Sequence, residues 1–494
     1  MTNSPSTDRV AIGAKLVAGV DSSTQSTKVE IRRLDTGEVV ARASAPHPPT
    51  TPPRSEQDPE AWWGAFQQAW AGVGSPEVEA ISVGGQQHGM VVLDSDRRVV
   101  RPAKLWNDTE SAPDAGWLIK QLPGGRADWA AAVGSVPVAS MTSTKLSWLH
   151  RSEPEHWDRL AHVLLPHDWM TARLTGGLDG PDAGELTTDR GDASGTGYWS
   201  PATGEYRWDL LSIIDRDRDW STVVPRVAGP GEVVGRWGSA LVGPGTGDNM
   251  AAALGLGIAP GCAVVSLGTS GTAFTVAAAP TADATGAVAG FADATGRYLP
   301  LVCTLNAAKV VDAVRRLLGV DHDELDRLAL ESGSGANGVT LLPYFDGERT
   351  PDLPRATGWL TGLHSDVARA DLARAAIEGV VCGMLDALDA LRAHAPVEAV
   401  VLTGGLSRSP AVRHVMASLC DVPVRLTEAE EAVATGACVQ AAMVATGEQA
   451  DAIAERWGLD RSTPVEPMAD DRAADGHAVR ARYDELRQSA YPSE

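Results

Sequence analysis

Two stretches of this 494-residue chain are written to one plan, and together they constrain its fold more than any other feature. The apolar run KLVAGV (15–20) leads into Asp21-Ser22-Ser23-Thr24-Gln25-Ser26-Thr27-Lys28 and returns along VEIRRL, which reads as strand, tight polar turn, strand. In the second half AVVSLGTSGTAFTVA (263–277) repeats it, with Gly268-Thr269-Ser270-Gly271-Thr272 matching Ser23-Thr24-Gln25-Ser26-Thr27. Each turn opens one half of the chain, so an internal duplication is expected. Small side chains let backbone amides approach anionic oxygens, and hydroxyls add donors, so such turns suit phosphates. One alone is an ordinary hairpin. Two facing each other across a cleft would clamp a polyphosphate.

Composition bounds the reading. The length exceeds one ordinary core, and two domains of roughly 200–250 residues are expected. A formal net charge of −22 argues against nucleic-acid and anionic-membrane partners, and an anionic substrate then needs local donors or a metal ion. The five cysteines, Cys262, Cys303, Cys382, Cys420 and Cys438, are odd in number and form no CxxC, which suits reduced thiols and a cytoplasmic setting. MTNSPSTDRVAIG has no basic segment followed by a long apolar one; it reads as a disordered lead, and no export is expected. Asn249 to Ala282 carries no charge, yet Pro260-Gly261 and the Gly268–Thr272 turn break it into helix, strand and strand rather than a membrane span.

The rest alternates strands and helices, an α/β chain with a mixed sheet. EAISVG (79–84), MVVLD (90–94) and AHVLLP (161–166) read as strands. Trp62, Phe66, Trp70 and Val73 fall at helical spacing in 58–73, as do Leu372, Ala376, Val380, Met384 and Leu391 in a long helix over 370–393. VEAVVLTGGLSRSPAVRHVMASL reads as a buried strand, a Gly404-Gly405 turn and a helix capped by Ser409 with Pro410 first. A helix over AVATGACVQAAMVATG follows, and the charged tail is expected to end in a helix over 471–490. The expected domains are 14–242, 243–461 and a tail over 462–494.

GPGTGDNMAAALGLG (243–257) sets one acid, Asp248, at the head of an Ala/Leu-rich helix. A carboxylate there is either a helix N-cap or a general base. The local sequence leaves both open.

The succession DSSTQSTK, GQQHGM, LWNDTES, LLPHDWM, GTGDNMAAALG, SLGTSGT, YFDGERTPDLPRATGWLTGL and VLTGGLSRS resembles the FGGY carbohydrate kinases, most of all the members that phosphorylate D-xylulose. The likeness covers nearly the whole chain. It implies two duplicated ribonuclease-H-like domains, as in actin-like ATPases, with a catalytic cleft between them that closes over ATP and sugar. It implies ATP and Mg²⁺ as cofactors, with Asp21 organising the metal, and Ser23, Thr24, Lys28, Gly268 and Thr269 at the phosphates. Gly404, Gly405 and Ser409 would border the adenosine. Asp248 would be the catalytic base with Asn249 beside it, Gln87 and His88 would bind the sugar, and Trp106 and Asp108 would shape or line its pocket. The GQQHG turn favours a ketopentose, phosphorylated on its terminal hydroxyl. Two departures stand out: Ser23 where glycine is more frequent, stiffening the phosphate turn or adding a hydroxyl, and His167 where lysine is more usual. A homodimer accords with the family.

Rival readings are weaker. An actin- or chaperone-like ATP switch would share the hairpins but leaves the 85–108 segment and GERTPDLP without a use. Ribulose, arabinitol or glycerol remain alternative acceptors. The eleven histidines form no HExxH or Cys/His cluster for zinc, and GTSGT is not the GxSxG elbow of a serine hydrolase.

Overall fold

The computed structural model describes residues 15–180, 183–467 and 476–492. The expected disordered lead and the first residues of the expected tail helix lie outside them.

The hairpins are the seeds of two like sheets. In the first half β1 (Leu16–Ser22) turns through 23–25 into antiparallel β2 (Ser26–Arg33), which pairs with antiparallel β3 (Val39–Pro46). Helix α1 (Pro59–Gly72) then crosses to β4 (Ala80–Gly85), parallel to β1. Every side chain of β1 is buried. That is why its sequence is a continuous apolar run, as a strand covered on both faces requires. Asp58 starts α1 by accepting the Glu60 amide, with Pro59 at the first helical position. Trp62 and Phe66 are buried against the sheet, each contributing roughly 1.5–3 kcal/mol. Trp70 lies half-buried, 4.8 Å from the ring of Trp237. Helix α2 (Pro166–Thr175), β5 (Thr187–Asp189) and the short α3 (Arg190–Ala193) lie beyond, before β6 (Ala240–Val242) adds parallel to β4.

Helix α4 (Asp248–Gly255) leads to the second sheet. There β7 (Gly261–Leu267) turns through 268–270 into antiparallel β8 (Gly271–Thr275), which pairs with antiparallel β9 (Tyr298–Thr304). The long α5 (Arg369–Arg392) crosses to β10 (Val397–Thr403), parallel to β7. After α6 (Pro410–Leu419) comes β11 (Val424–Thr427), parallel to β10. Strand order is therefore β3-β2-β1-β4-β6 in one sheet and β9-β8-β7-β10-β11 in the other, with the same directions. The duplication read from two turns extends to five strands and a crossover helix in each half.

Helices α4 and α7 (Ala432–Thr446) join the halves. A Cβ at Gly436 would stand 1.8 Å from the Ala251 carbonyl oxygen, and one at Gly255 would stand 1.9 Å from that of Ala432. Only glycine lets these backbones approach so closely. Their shared core takes Val17 and Ala80 from the first sheet and Val264 and Phe274 from the second. The tail adds β12 (Ser462–Pro464) at the edge of the second sheet and packs Val479 and Tyr483 of α8 (Gly476–Ala490) into that half's core. The charge-free stretch is α4 followed by two strands, and among the described residues no helix is long and apolar enough to cross a membrane. All five thiols are unpaired.

Candidate active site

The ends of β1, β7 and β10 open onto a cavity of about 840 Å³ between the halves. Ligand sites in α/β folds lie at such strand ends, where the chain turns away and leaves a crevice. Asp21, Lys28, Asp248, Asn249, Gly404 and Gly405 of the expected set line it.

Asp248 is not the helix cap. Gly247 takes that position and Asp248 is the first helical residue. Its Oδ1 accepts hydrogen bonds from the backbone amide (2.8 Å) and side-chain amide (2.9 Å) of Asn249. Asn249 Nδ2 also donates to Gln87 Oε1, at 2.8 Å. The acid is thereby oriented from the turn to which the resemblance gives sugar recognition. Burial chiefly, then the negative charges of Asp21 and Asp192, push its pKa up to about 7. A carboxylate with that affinity for protons is poised to take one near neutral pH.

At the end of β1, Asp21 is buried and its Oδ1 accepts no hydrogen bond among the described residues. Burial outweighs the Lys28 charge and raises its pKa to about 6. An orphaned carboxylate oxygen on the wall of this cavity fits a hydrated divalent cation, which takes oxygen ligands and keeps several waters. Lys28 lies 3.6 Å from Asp21 and 2.5 Å from Glu431.

Ser23 turns back on its own loop: its amide and its hydroxyl both donate to the Ser26 carbonyl, at 3.0 and 2.9 Å. Thr24 accepts from the Trp106 indole N–H at 2.9 Å. The Gly268–Ser270 turn closes through Gly268 N–H to Ser270 O, leaving Thr269 exposed and outside the cavity wall. Gly404, at φ 88°, sits where a Cβ would meet Leu267 backbone at 2.7 Å, so the two phosphate-type turns of this half touch. Ser409 caps α6 by accepting the Val412 amide and donates to Asp326. Ser407, not Ser409, reaches the cavity wall.

On the sugar side, His88 is the centre of a three-residue turn closed by Gly89 N–H to Gln87 O, with φ 66°, a region a non-glycine residue enters only under constraint. Its Nδ1 is 2.8 Å from the Gly195 carbonyl, which fixes the proton on that nitrogen and leaves Nε2 with a lone pair. Burial, then the Lys145 and Arg349 charges, lower its pKa to about 3, so the ring is neutral. It can therefore accept from a sugar hydroxyl. Gln87 Nε2 is buried without a partner among the described residues. Trp106 is 40 % exposed. Asp108 is reassigned: it is fully buried, and its oxygens accept from Ser55 N–H, Glu110 N–H and Lys104, so it shapes the loop without lining the pocket.

Sequence reasoning missed Arg408 and the acids Glu428, Glu430 and Glu431 of the cavity wall. An EAEE run ordinarily reads as a solvated face, and only the fold turns it toward a cleft. It also missed Lys145, wholly buried and donating to the Ala139 and Ser140 carbonyls. Burial first of all lowers its pKa to about 7.

Family models for the FGGY family of carbohydrate kinases match this chain over 16–255 with the N-terminal domain and over 263–445 with the C-terminal domain. The chain is 48% identical over 471 residues to a xylulose kinase of Streptomyces coelicolor, covering 93% of this chain and 94% of that protein. It is 47% identical over 455 residues to a xylulose kinase of Streptomyces rubiginosus, covering 90% of each. The crystal structure of xylulose kinase from Bifidobacterium adolescentis superposes with a TM-score of 0.83 at 41% identity, covering 96% of this chain and 99% of that one.

Proposed function

Because the chain belongs to the FGGY family of carbohydrate kinases, we propose that it transfers the terminal phosphoryl group of ATP to D-xylulose, giving D-xylulose 5-phosphate and ADP. The observation that carries the reading is the Asp248–Asn249–Gln87 chain, which ties a carboxylate of raised pKa to the recognition turn.

The terminal hydroxyl of the sugar attacks the γ-phosphorus, the new O–P bond forms as the bond to the ADP oxygen breaks, and Asp248 takes the hydroxyl proton. Phosphoryl transfer asks the protein mainly to position the groups and offset charge. Asn249 holds Asp248 Oδ1, and Oδ2, which accepts no hydrogen bond among the described residues, is the basic oxygen. Gln87 Nε2 donates to sugar oxygens and His88 Nε2 accepts from a sugar hydroxyl. Trp106 joins the sugar side to Thr24 at the phosphates. Lys28 offsets phosphate charge, Gly404 and Gly405 leave room for the nucleotide, and Gly268 and Thr269 approach the phosphates when the halves close. Asp21 would hold Mg²⁺ through water, and the metal supplies charge neutralisation of the terminal phosphates when bound. Closure excludes water, which would otherwise compete as acceptor. The five unpaired thiols and the need for ATP support a cytoplasmic setting.

ADP release is measured with Mg·ATP and D-xylulose, D-ribulose, L-ribulose, D-arabinitol, xylitol or glycerol, for the wild type and Asp248→Ala. D-xylulose is expected to dominate and the variant to lose about 100-fold or more. Preference for another polyol would overturn the sugar assignment alone, and ADP release indifferent to every acceptor would overturn the kinase reading.

A further inference from the structure

Four ionisable side chains that touch neither reactant in the proposed transfer are buried beneath the recognition turn. His167, in the first turn of α2, is wholly buried among three carboxylates. Its Nδ1 is 2.9 Å from Asp192 Oδ2, and its Nε2 is 3.1 Å from Asp168 Oδ1 and 3.7 Å from Asp189 Oδ1. Asp168 also accepts the Leu165 amide, and Asp189 accepts the Gly191 and Asp192 amides and the Thr246 hydroxyl. Burial opposes a charge on the imidazole, but the carboxylates prevail and its pKa is pushed up to about 9. The cluster is a cation among anions, inside the protein, where removing one partner leaves the others uncompensated.

Two routes lead from His167 to the sugar site. Asp192 lies at the end of the first: its backbone carbonyl accepts the Gly195 amide at 2.9 Å, and the Gly195 carbonyl takes the His88 Nδ1 proton. The His88 backbone amide also lies beside the Asp192 carboxylate and favours its charged form, although Asp192 Oδ1 accepts no full hydrogen bond. The second route is direct contact. A Cβ on Gly85, first residue of the recognition turn, would stand 2.8 Å from His167 Cβ, and one on Gly245, three residues before Asp248, would stand 2.5 Å from His167 Cδ2. His88 itself occupies a backbone region that persists only when its surroundings over-determine it.

We propose that His167 is a positioning residue of the sugar site: paired with Asp192, it fixes the turn that presents the Gly195 carbonyl, and so holds His88 with Nε2 toward the substrate. The inference rests on the reading of His88 as a sugar ligand. A lysine, more usual here in the family, would supply the cation from one end of a flexible stem, whereas the imidazole is held by one hydrogen bond from Nδ1 to Asp192 and faces Asp168 across 3.1 Å with no hydrogen bond.

The test is steady-state kinetics on the full chain, varying D-xylulose and ATP separately, with melting temperature followed in parallel. His167→Gln is expected to raise the sugar KM by about tenfold, the scale of one lost hydrogen bond, with kcat and the KM for ATP changed less than about threefold. His167→Lys is expected to restore the sugar KM. Asp192→Asn, which keeps volume and removes the ion pair, is expected to repeat the selective effect and guards against a misfolded glutamine variant. His88→Ala is the reference. If it raises the sugar KM while neither His167→Gln nor Asp192→Asn does, the positioning role is overturned. Equal rises in both KM values with a lowered melting temperature overturn it too. If His88→Ala leaves the sugar KM unchanged, the failure belongs to the sugar-ligand reading.

Discussion

The Lys28 ammonium lies 2.5 Å from the Glu431 carboxylate, tying the first hairpin to the segment that enters α7, and 3.6 Å from Asp21. Lys28 and Glu431 are each about one-third exposed, so their pair is worth no more than ~1 kcal/mol. In the proposed reaction, entering phosphates would compete with Glu431 for this lysine and be repelled by that acid. Glu431→Gln is expected to lower the KM for ATP by about two- to fivefold at low ionic strength, with the gain shrinking as salt screens the pair. Lys28→Met is expected to raise it by about tenfold. Initial rates at two salt concentrations check both.

The raised pKa of Asp248 sets a pH dependence with a defined sign. Only the ionised carboxylate accepts the sugar proton, so kcat/KM for D-xylulose is expected to climb as pH rises through about 7 and to level off above it. An ordinary carboxylate, at 3.8, would show no change in that range. Folding has the opposite sign: between pH 4 and 7 the native state holds a proton the unfolded chain has lost, so this group lowers stability as pH rises. Asp248→Asn is therefore expected to abolish the pH-rate profile and to melt about 1–2 °C higher at pH 8, with little change at pH 4.

Trp106 reaches from the sugar loop to the phosphate loop through its indole N–H on Thr24 Oγ1. Phenylalanine keeps an aromatic surface and removes that donor. Trp106→Phe is expected to raise the KM for ATP as well as that for D-xylulose, each by about two- to fivefold, the cost of one partly exposed hydrogen bond. A change confined to the sugar KM would show that the ring alone matters.

Much of this was legible in the chain because apolar period and turn chemistry are local. Strands read at 79–84 and 397–403 and the helix read over 58–73 lie within two residues of the observed elements, and the matched turns of Ser23 and Gly268 head like sheets. What a side chain does at the site was less legible. The resemblance implies that Asp108 shapes or lines the pocket and that Ser409 borders the adenosine, and it does not reveal that Lys104 and two amides engage the first or that the α6 amide and Asp326 engage the second. Those partners are distant in sequence or lie in turns whose geometry composition does not specify. The same is true of Glu431, whose neighbours in the chain are acids and whose neighbour in space is Lys28.

The crossing of α4 and α7 gives the last prediction, because both sheets hang from it. At Gly436 a methyl group would overlap the Ala251 carbonyl at 1.8 Å, and the atom in the way is backbone, so relief needs a shift of the whole helix. Overpacking of this kind costs about 1–3 kcal/mol or more. Gly64, on the exposed side of α1, has nothing within 4 Å of its Cβ position, and alanine there gains roughly 0.5–1 kcal/mol from restricting the unfolded chain. Both replacements add one methyl group to one helix. Gly436→Ala is expected to lower the denaturant midpoint and, by displacing the helix that aligns the two halves around the cavity, to raise the KM for ATP. Gly64→Ala is expected to raise the midpoint and leave kinetics alone. Equal midpoint shifts in one direction would mean that helix propensity, not the crossing, governs the joint between the halves.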